Sequence, residues 1–346
     1  MRSLSADLSL GAQTSYAELY NLTQSVERVR FATMRGSFRR RIIKNKTYVY
    51  FNFRDTDGQV RSAYVGPDSE RVQRLISEFE QDQVADRLAA LAQRSRACMA
   101  LGCTSVLDKH CRVIRKLASY GLFRVGGVLI GIHAFVAVAN MLGIRWTSGK
   151  DTASVGLAHD GRAISVALPA DLELSRSDAI TSLEAGLLPI QEFSGKTAAQ
   201  DRNPHNPELS IRLVAPGVRL GEGKLAPGLG IEPAPEKFTE FLLEGTAQGV
   251  VLAKSGACLV NLPDPARIAI YNIIVYGERT RTEQAESSEG LVQAEALIEW
   301  HLDQGRGALI REAWLNASVR GIVWRRSANE GRDAFLVRHP ALAGCF

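Results

Sequence analysis

Apolar residues recur at helical spacing near both ends of the chain. From Pro67 to Leu91 they lie three to five positions apart, which predicts one amphipathic helix. A second helix is expected over about residues 105–120, and Gly121 ends it. After Pro265 the same spacing predicts helices over residues 268–276, 282–303 and 308–320. Helical segments therefore flank the middle of the chain.

Short apolar runs separated by Gly and Pro fill that middle part. They predict strands over residues 125–130, 153–158, 164–168, 209–215, 250–252 and 257–261. A buried helix over residues 132–142, ended by Gly143, is expected after the first of them. Stretches 197–208 and 216–235 are rich in Pro, Gly and polar residues and are predicted to be surface loops. The pattern indicates an α+β fold.

A basic cluster precedes a predicted β-hairpin in the first part of the chain. Residues 48–53 alternate with period two, and Asp57-Gly58 is a favourable hairpin turn. Just upstream, twelve residues contain six positive charges: Arg35, Arg39, Arg40, Arg41, Lys44 and Lys46. A basic, aromatic hairpin is able to bind nucleic acid, but it is equally able to pack one face on a helix and keep its arginines in water. Both interpretations stay open.

Residues 125–144 form a run of 20 residues without a charged side chain, which is long enough for a membrane span. Three glycines in its first third, followed by His133 and Asn140, indicate a buried strand, a turn and a buried helix instead. No membrane association is expected. We predict three units: residues 1–121 with helices and the hairpin, 122–262 with the sheet, and 263–346 with helices.

Composition and charge exclude several classes of protein. The chain has 346 residues, of which 45% are hydrophobic and 23% charged, so it is neither disordered nor collagen-like. A net charge of +5 is compatible with an anionic partner but does not require one. The five cysteines are scattered along the chain, and the N-terminal segment lacks the apolar region of a signal peptide. Both features predict a reducing, cytoplasmic location. Cys103, His110 and Cys111 lack the second ligand pair of a zinc site.

Seven runs in order resemble a family of bacterial nucleotidyltransferase-like proteins of the DNA polymerase beta-type superfamily. They are LFRVGGVLIGIHAFVAVANMLGIRW, TASVGLAH, FSGKTAA, LSIRLVAP, KFTEFLLEGTAQGVVL, ACLVNLPDPARIAIYNIIVYGER and LVQAEALIEWHLD. With the preceding hairpin, the resemblance extends from Tyr48 to Trp324. It implies a nucleotidyltransferase-type mixed sheet flanked by helices, with helical extensions at both ends.

The resemblance also implies a reaction, the transfer of a nucleoside monophosphate from an NTP to an acceptor hydroxyl. Two Mg²⁺ ions support this reaction and prefer carboxylate ligands. In the superfamily an Asp-x-Asp pair on one strand and a third Asp on a neighbouring strand hold them. A Gly-Ser or Gly-Thr turn upstream binds phosphate.

This sequence departs from the family pattern at each of those positions. Ser154 and Gly156 stand at the Asp-x-Asp pair, and Arg212 stands at the third carboxylate. Ile132 replaces the hydroxyl residue after Gly131. Arg212 would place a positive charge beside the expected metal, a repulsion of roughly 4 kcal/mol per unit charge at about 4 Å and an effective dielectric of about 20. Two-metal catalysis is therefore expected to be impaired.

Some residues remain candidates for a functional role. Asp151 and Asp160 flank the strand and are possible substitute ligands, although Asp151 lies about 10 Å from the first ligand position on an extended strand. Gly131, Ile132 and Lys196 are candidate nucleotide contacts. Lys196 ends a run similar to a P-loop, in which Ile190 replaces the required glycine.

Three functions remain open from the sequence. The preferred one is a pseudoenzyme that acts through a protein partner, such as an intact relative, or through a nucleotide, with no resident cofactor. The second is an active enzyme with a rebuilt metal site that uses Mg²⁺ and an NTP. The third is a nucleic-acid-binding protein that uses Arg39, Arg40, Arg41, Lys44 and Lys46.

Overall fold

The computed structural model describes most of the chain. The described residues are 4–29, 31, 33–54, 59–119, 121–124, 126–147, 154–159, 201–202, 210–216, 234–280, 284 and 288–346. The chain begins with strand β1 (Ser5–Asp7) and helix α1 (Leu10–Glu27). Ser9 caps this helix, because its hydroxyl oxygen accepts the N–H of Ala12 at 3.2 Å.

Three arginines of the basic cluster, Arg39, Arg40 and Arg41, lie in a strand of a three-stranded antiparallel sheet. The sheet consists of β2 (Ser37–Ile43), β3 (Lys46–Arg54) and β4 (Val60–Pro67). The predicted pairing of β3 with β4 is confirmed, whereas Asp57-Gly58 lies outside the described residues. A turn at Lys44 and Asn45, both with positive φ, joins β2 to β3. The inner face of the sheet is aromatic and packs on the next helix, where Phe38 and Phe51 contact Phe79 edge to face.

The helix predicted from Pro67 to Leu91 is wrong as a single element, because the structure divides it into two. Helix α2 (Glu70–Gln81) and helix α3 (Val84–Ala100) are separated at Asp82, whose backbone is extended with ψ of 131°. Asp82 instead accepts a hydrogen bond from Arg87 at 2.5 Å, which holds the chain as it re-enters a helix. Helix α4 (Asp108–Ser119) follows, close to its predicted range.

The central sheet is mixed, as expected. Its elements in chain order are β5 (Val128–Ile130), helix α5 (Ile132–Met141), β7 (Ser154–Ala158), β8 (Asp201–Arg202), β9 (Ser210–Pro216) and β10 (Ala234–Glu236). Strand β7 lies between β5, which is antiparallel to it, and β9, which is parallel. The other edge of β9 pairs with both β8 and β10. Strand β6 (Ile144–Trp146) leaves this sheet and pairs with β1, and the strand predicted at 164–168 lies outside the described residues.

A buried hairpin lies at the centre of the packing. After the short helix α6 (Thr239–Leu243), strands β11 (Ala247–Ala253) and β12 (Gly256–Leu262) pair over seven residues each. Every residue of β12 is buried. Helices α1, α3 and α4 all contact this strand.

The described residues after Leu262 form four helices, one more than the sequence predicts there. They are α7 (Pro265–Glu278), α8 (Ser288–Asp303), α9 (Gly307–Ser318) and α10 (Ile322–Arg338), followed by a 3₁₀ turn over Pro340–Cys345. Helix α10 packs closely on α7, since a Cβ on Gly331 would lie 1.9 Å from the carbonyl oxygen of Ile273. None of the helices in the described part of the chain combines the length and the hydropathy that a bilayer crossing needs.

Gly331→Ala should separate α10 from α7. The added methyl group has no room against the Ile273 carbonyl, so we expect the free energy of unfolding to fall by about 3 kcal/mol. The gain in helix propensity, about 1 kcal/mol, does not offset this loss. Urea denaturation followed by circular dichroism measures the change. The matched control is Gly344→Ala, where no atom lies within 4 Å of the new Cβ, and a loss there equal to that of Gly331→Ala would contradict the packing.

Candidate functional site

The strand register brings the family's metal-ligand positions together. Gly156 lies opposite Arg212 on β9 and, on its other side, opposite Ile130 on β5. Neighbouring strands are about 4.8 Å apart, and directly paired residues project to the same face of a sheet. The position at which the resemblance leads us to expect the third carboxylate is therefore adjacent to the position at which we expect the second aspartate of the Asp-x-Asp pair.

Ser154 completes the same face. It is two residues before Gly156 on β7, so the two positions share a face about 7 Å apart along the strand. Its register partner is Ser210, two residues before Arg212. The three positions thus form one compact corner of the sheet. In this chain that corner contains a hydroxyl residue, a glycine and an arginine in place of three carboxylates.

The turn after β5 is the place where the resemblance leads us to expect a phosphate-binding turn. Gly131 has φ of 70° and precedes α5, and its carbonyl oxygen accepts the N–H of Phe135 at 3.0 Å. A Cβ at Gly131 would have no described atom within 4 Å, so the space beside the turn is open. The next residue is Ile132, which brings an aliphatic side chain instead of a hydroxyl. The helix N-terminus therefore lacks the side-chain donor that the family has there.

Gly156 is enclosed by the neighbouring strand. A Cβ at this position would lie 3.1 Å from Cγ1 of Ile130 and 3.2 Å from its carbonyl oxygen. These distances are shorter than ordinary carbon contacts, so a larger residue would require Ile130 to move. The packing on β5 is thus adapted to glycine.

Two histidines near this corner are buried within the core. His159 follows β7, and its backbone N–H donates to the carbonyl oxygen of Val214 at 3.0 Å. His133, the second residue of α5, pairs with His110 of α4, with 2.9 Å between Nε2 of His133 and Nδ1 of His110. Burial, with a smaller contribution from His110, lowers the pKa of His133 to about 4. His133 is therefore neutral at physiological pH.

Three other predicted site residues, Asp151, Asp160 and Lys196, lie outside the described residues. Within the described part of the chain, no group of three His, Cys, Asp or Glu side chains is placed to hold a metal ion. Cys103 and Cys111 are directed to backbone carbonyl oxygens, those of Ala12 and Gly256.

The basic cluster divides between two faces of the three-stranded sheet. Arg39 and Arg41 lie opposite Tyr50 and Tyr48 on the solvent side. Arg40 instead forms an ion pair with Asp68 at 3.2 Å. Lys44 lies in the β2–β3 turn, and Lys46 begins β3.

We call the solvent side of this sheet the outer face. The structure adds three residues to it that the sequence analysis did not single out: Ser62 and Tyr64 of β4, opposite Asn52 and Tyr50, together with Asn52 itself. The outer face thus consists of Arg39, Arg41, Tyr48, Tyr50, Asn52, Ser62 and Tyr64. In the sequence, the period-two spacing of residues 60–64 was the signal that could have indicated Ser62 and Tyr64. The strand pairing was needed to place them on the outer face.

Comparison with known proteins gives one family. A model described as "Nucleotidyltransferase" matches residues 108–318, more than half of the 346-residue chain. The match begins at α4 and extends to the end of α9, and so includes the whole central sheet. No curated protein and no solved structure matches significantly.

The low pKa of His133 predicts a pH-dependent stability. Between pH 6.5 and 4 the unfolded chain gains a proton on this residue and the folded chain does not, so stability falls as the pH is lowered through that window. Over this window we expect His133 to lower the free energy of unfolding by about 3 kcal/mol. Unfolding free energies of the native chain and His133→Gln, measured between pH 4 and 7, check this. The difference between the two chains should shrink toward pH 4, and parallel pH profiles would contradict it.

Proposed function

Because the chain belongs to a nucleotidyltransferase family, we propose that it is a nucleotidyltransferase-fold protein with an impaired catalytic centre that acts by binding a partner or a nucleotide. The observation that carries this proposal is the pairing of Gly156 with Arg212 on adjacent strands. The residues at the positions where the resemblance leads us to expect metal ligands, Ser154, Gly156 and Arg212, bring no carboxylate.

Electrostatics supports the loss of metal binding. A Mg²⁺ ion needs several hard oxygen ligands, usually carboxylates, to replace its hydration shell. Ser154 and Gly156 bring no negative charge, and the guanidinium of Arg212 repels a dication. Without the metal ions, the transferring phosphate loses the groups that neutralise its charge in the transition state.

Packing supports the same conclusion independently of charge. A Cβ at 156 would lie 3.1 Å from Cγ1 of Ile130, so an aspartate there would require Ile130 to move by a few tenths of an ångström. The packing on β5 is thus adapted to glycine. This is the expected result when no metal has to be held at the corner.

We propose an intact nucleotidyltransferase relative as the preferred protein partner, with the sheet corner or the surrounding surface as its contact. The cellular location that we propose is the cytoplasm. All five cysteines are free and buried, as in a protein of a reducing compartment.

Purified protein should not transfer nucleotide. With Mg²⁺ or Mn²⁺ and labelled NTPs, we expect no label on RNA, DNA or protein, and calorimetry should give no metal-dependent increase in NTP affinity. Ser154→Asp/Arg212→Asp, which restores two carboxylates without crowding Ile130, should bind Mn²⁺ more tightly than the native chain. Transfer by the native chain that is abolished by Asp151→Ala or Asp160→Ala would instead establish an active enzyme with a rebuilt site.

We also propose a second function, binding of single-stranded nucleic acid on the outer face. Three tyrosine rings lie side by side there, with centroid distances of 5.6 Å between Tyr50 and Tyr64 and 6.1 Å between Tyr48 and Tyr64. Tyr64 is 38% exposed. Three aromatic rings on a solvated sheet face expose apolar surface, which costs free energy. Their presence therefore favours a ligand that covers them.

Charge on this sheet favours an anionic ligand. Strands β2, β3 and β4 contain six Lys or Arg residues and no Asp or Glu. The guanidinium of Arg41 lies 4.6 Å from the centre of the Tyr50 ring, so stacking and positive charge meet at one point. Bases of a single strand stack on such rings while its phosphates contact the arginines. A duplex offers no free base faces and is disfavoured.

A fluorescently labelled oligonucleotide of 20 nucleotides tests this second function. Its affinity, measured by anisotropy, should fall about tenfold in Tyr50→Ala and Tyr64→Ala because each loses a stacking contact. It should also fall steeply with added salt, as counterion release requires. Arg39→Ala removes one charge from the outer face. Its matched control is Arg326→Ala, which removes one exposed charge from α10. Affinity that is independent of salt, or equal for single strand and duplex, would contradict the proposal.

A further inference from the structure

A basic pocket of about 490 Å³ lies outside the sheet corner. It is enclosed by the segment before β2, the first turns of α3, the second half of α4 and the β11–β12 turn. Four cationic side chains line it: Arg35, Arg112, Arg115 and Lys116. Its volume is within the range of about 300–1,000 Å³ that small-molecule sites occupy.

The charge of the pocket is unbalanced. No Asp or Glu is among the described residues that line it. The nearest acidic side chain along α4 is Asp108, whose carboxylate accepts the backbone N–H of Ser255 at 2.9 Å. That hydrogen bond is the main cause of the lowered pKa of Asp108. Arg35, Arg112 and Arg115 thus bring three positive charges to a pocket whose described lining contains no carboxylate, which favours a bound anion.

Arg115 is fixed in place by the turn next to it. Its Nη1 donates to the carbonyl oxygen of Ser255 at 2.8 Å. Gly256 has φ of 140°, and a Cβ there would lie 2.8 Å from Nη1, so the turn needs glycine for the guanidinium to approach. Its buried Nε has no hydrogen-bond partner among the described residues. A pre-positioned guanidinium loses little conformational freedom when it binds an anion.

One wall of the pocket is apolar. Ala85, Leu88 and Ala89 of α3 face the same space as the four cations. An apolar wall beside several cations suits a ligand with several negative charges and a less polar part. We infer that this pocket binds a compact polyphosphate, either free or carried by a nucleoside. This site consists of other elements than the corner of β5, β7 and β9, and so it does not depend on the function proposed for that corner.

Isothermal titration calorimetry on the full-length protein, without divalent metal and at about 0.15 M salt, tests the inference with two probes. They are inorganic tripolyphosphate and ATP. Arg35→Gln and Arg112→Gln remove exposed cations and should preserve the fold. We expect one molecule of tripolyphosphate per chain, with affinity about tenfold lower in each variant, as for a lost charge-assisted hydrogen bond.

Controls separate this pocket from general basicity and from the sheet corner. Arg326→Gln removes an equal charge from α10, and Arg212→Gln removes the arginine of the corner; both should retain native affinity. If ATP binds more tightly than tripolyphosphate, the nucleoside contacts the apolar wall. If the two affinities are equal, the pocket recognises the phosphate chain alone. Failure of both probes to bind, or equal loss in Arg326→Gln and Arg112→Gln, would overturn the inference.

Discussion

The rest of the structure depends on burial of the β11–β12 hairpin, in which the last five residues of β11 and every residue of β12 are buried. An apolar two-stranded sheet is not stable in water by itself and must be covered on both faces. Its polar groups then need partners inside the protein. The side chain of Asn261 in β12 has two such partners. Its Nδ2 donates to the carbonyl oxygens of Phe123 at 2.8 Å and Gly127 at 2.9 Å. These bonds fix the segment that leads into β5.

The same requirement connects the first helix to the core. The hydroxyl oxygen of Tyr16 accepts the N–H of Val250 at 3.1 Å, and Ser95 of α3 donates to the carbonyl oxygen of Ala253 at 2.6 Å. Arg124 and Glu27, both buried, pair at 2.9 Å between the end of α1 and the start of β5. Removal of either partner would leave an uncompensated buried charge, so this pair fixes the position of the strand that encloses Gly156.

The proposed loss of the metal site is compatible with the family fold, because the core of the protein lies elsewhere. Clustered carboxylates repel one another when no cation is bound, and an empty Asp-x-Asp corner therefore lowers stability. Ser154, Gly156 and Arg212 remove that repulsion, while Ile130 fills the space. None of these changes affects β11, β12 or the helices that cover them. Loss of the ligands and retention of the fold are thus physically compatible.

The sequence predicts elements well where one periodicity dominates. Helix α5 and its end at Gly143, strands β7 and β9, and the β3–β4 pair all follow from local patterns. The break at Asp82 does not, since the apolar stripe continues through it and the turn depends on a contact with Arg87. Helix α10 was missed because its contact with α7 uses Ala328 and Gly331, which carry little hydrophobic signal.

The candidate sites depend still more on tertiary contacts. Resemblance placed Gly156 and Arg212 in one site, but only the register shows them as direct neighbours and Ile130 as the residue that closes the space. Tyr64 became part of a surface only through its pairing with Tyr50. The pocket around Arg115 joins residues more than 200 positions apart in the chain, from Thr33 to Ser255, and no local pattern links them.

Positive charge is concentrated on the outer face and in the pocket, although the net charge of the chain is only +5. At both places the described acidic residues are few. Acidic side chains elsewhere must therefore balance most of the excess, so the field at these surfaces is stronger than the net charge suggests.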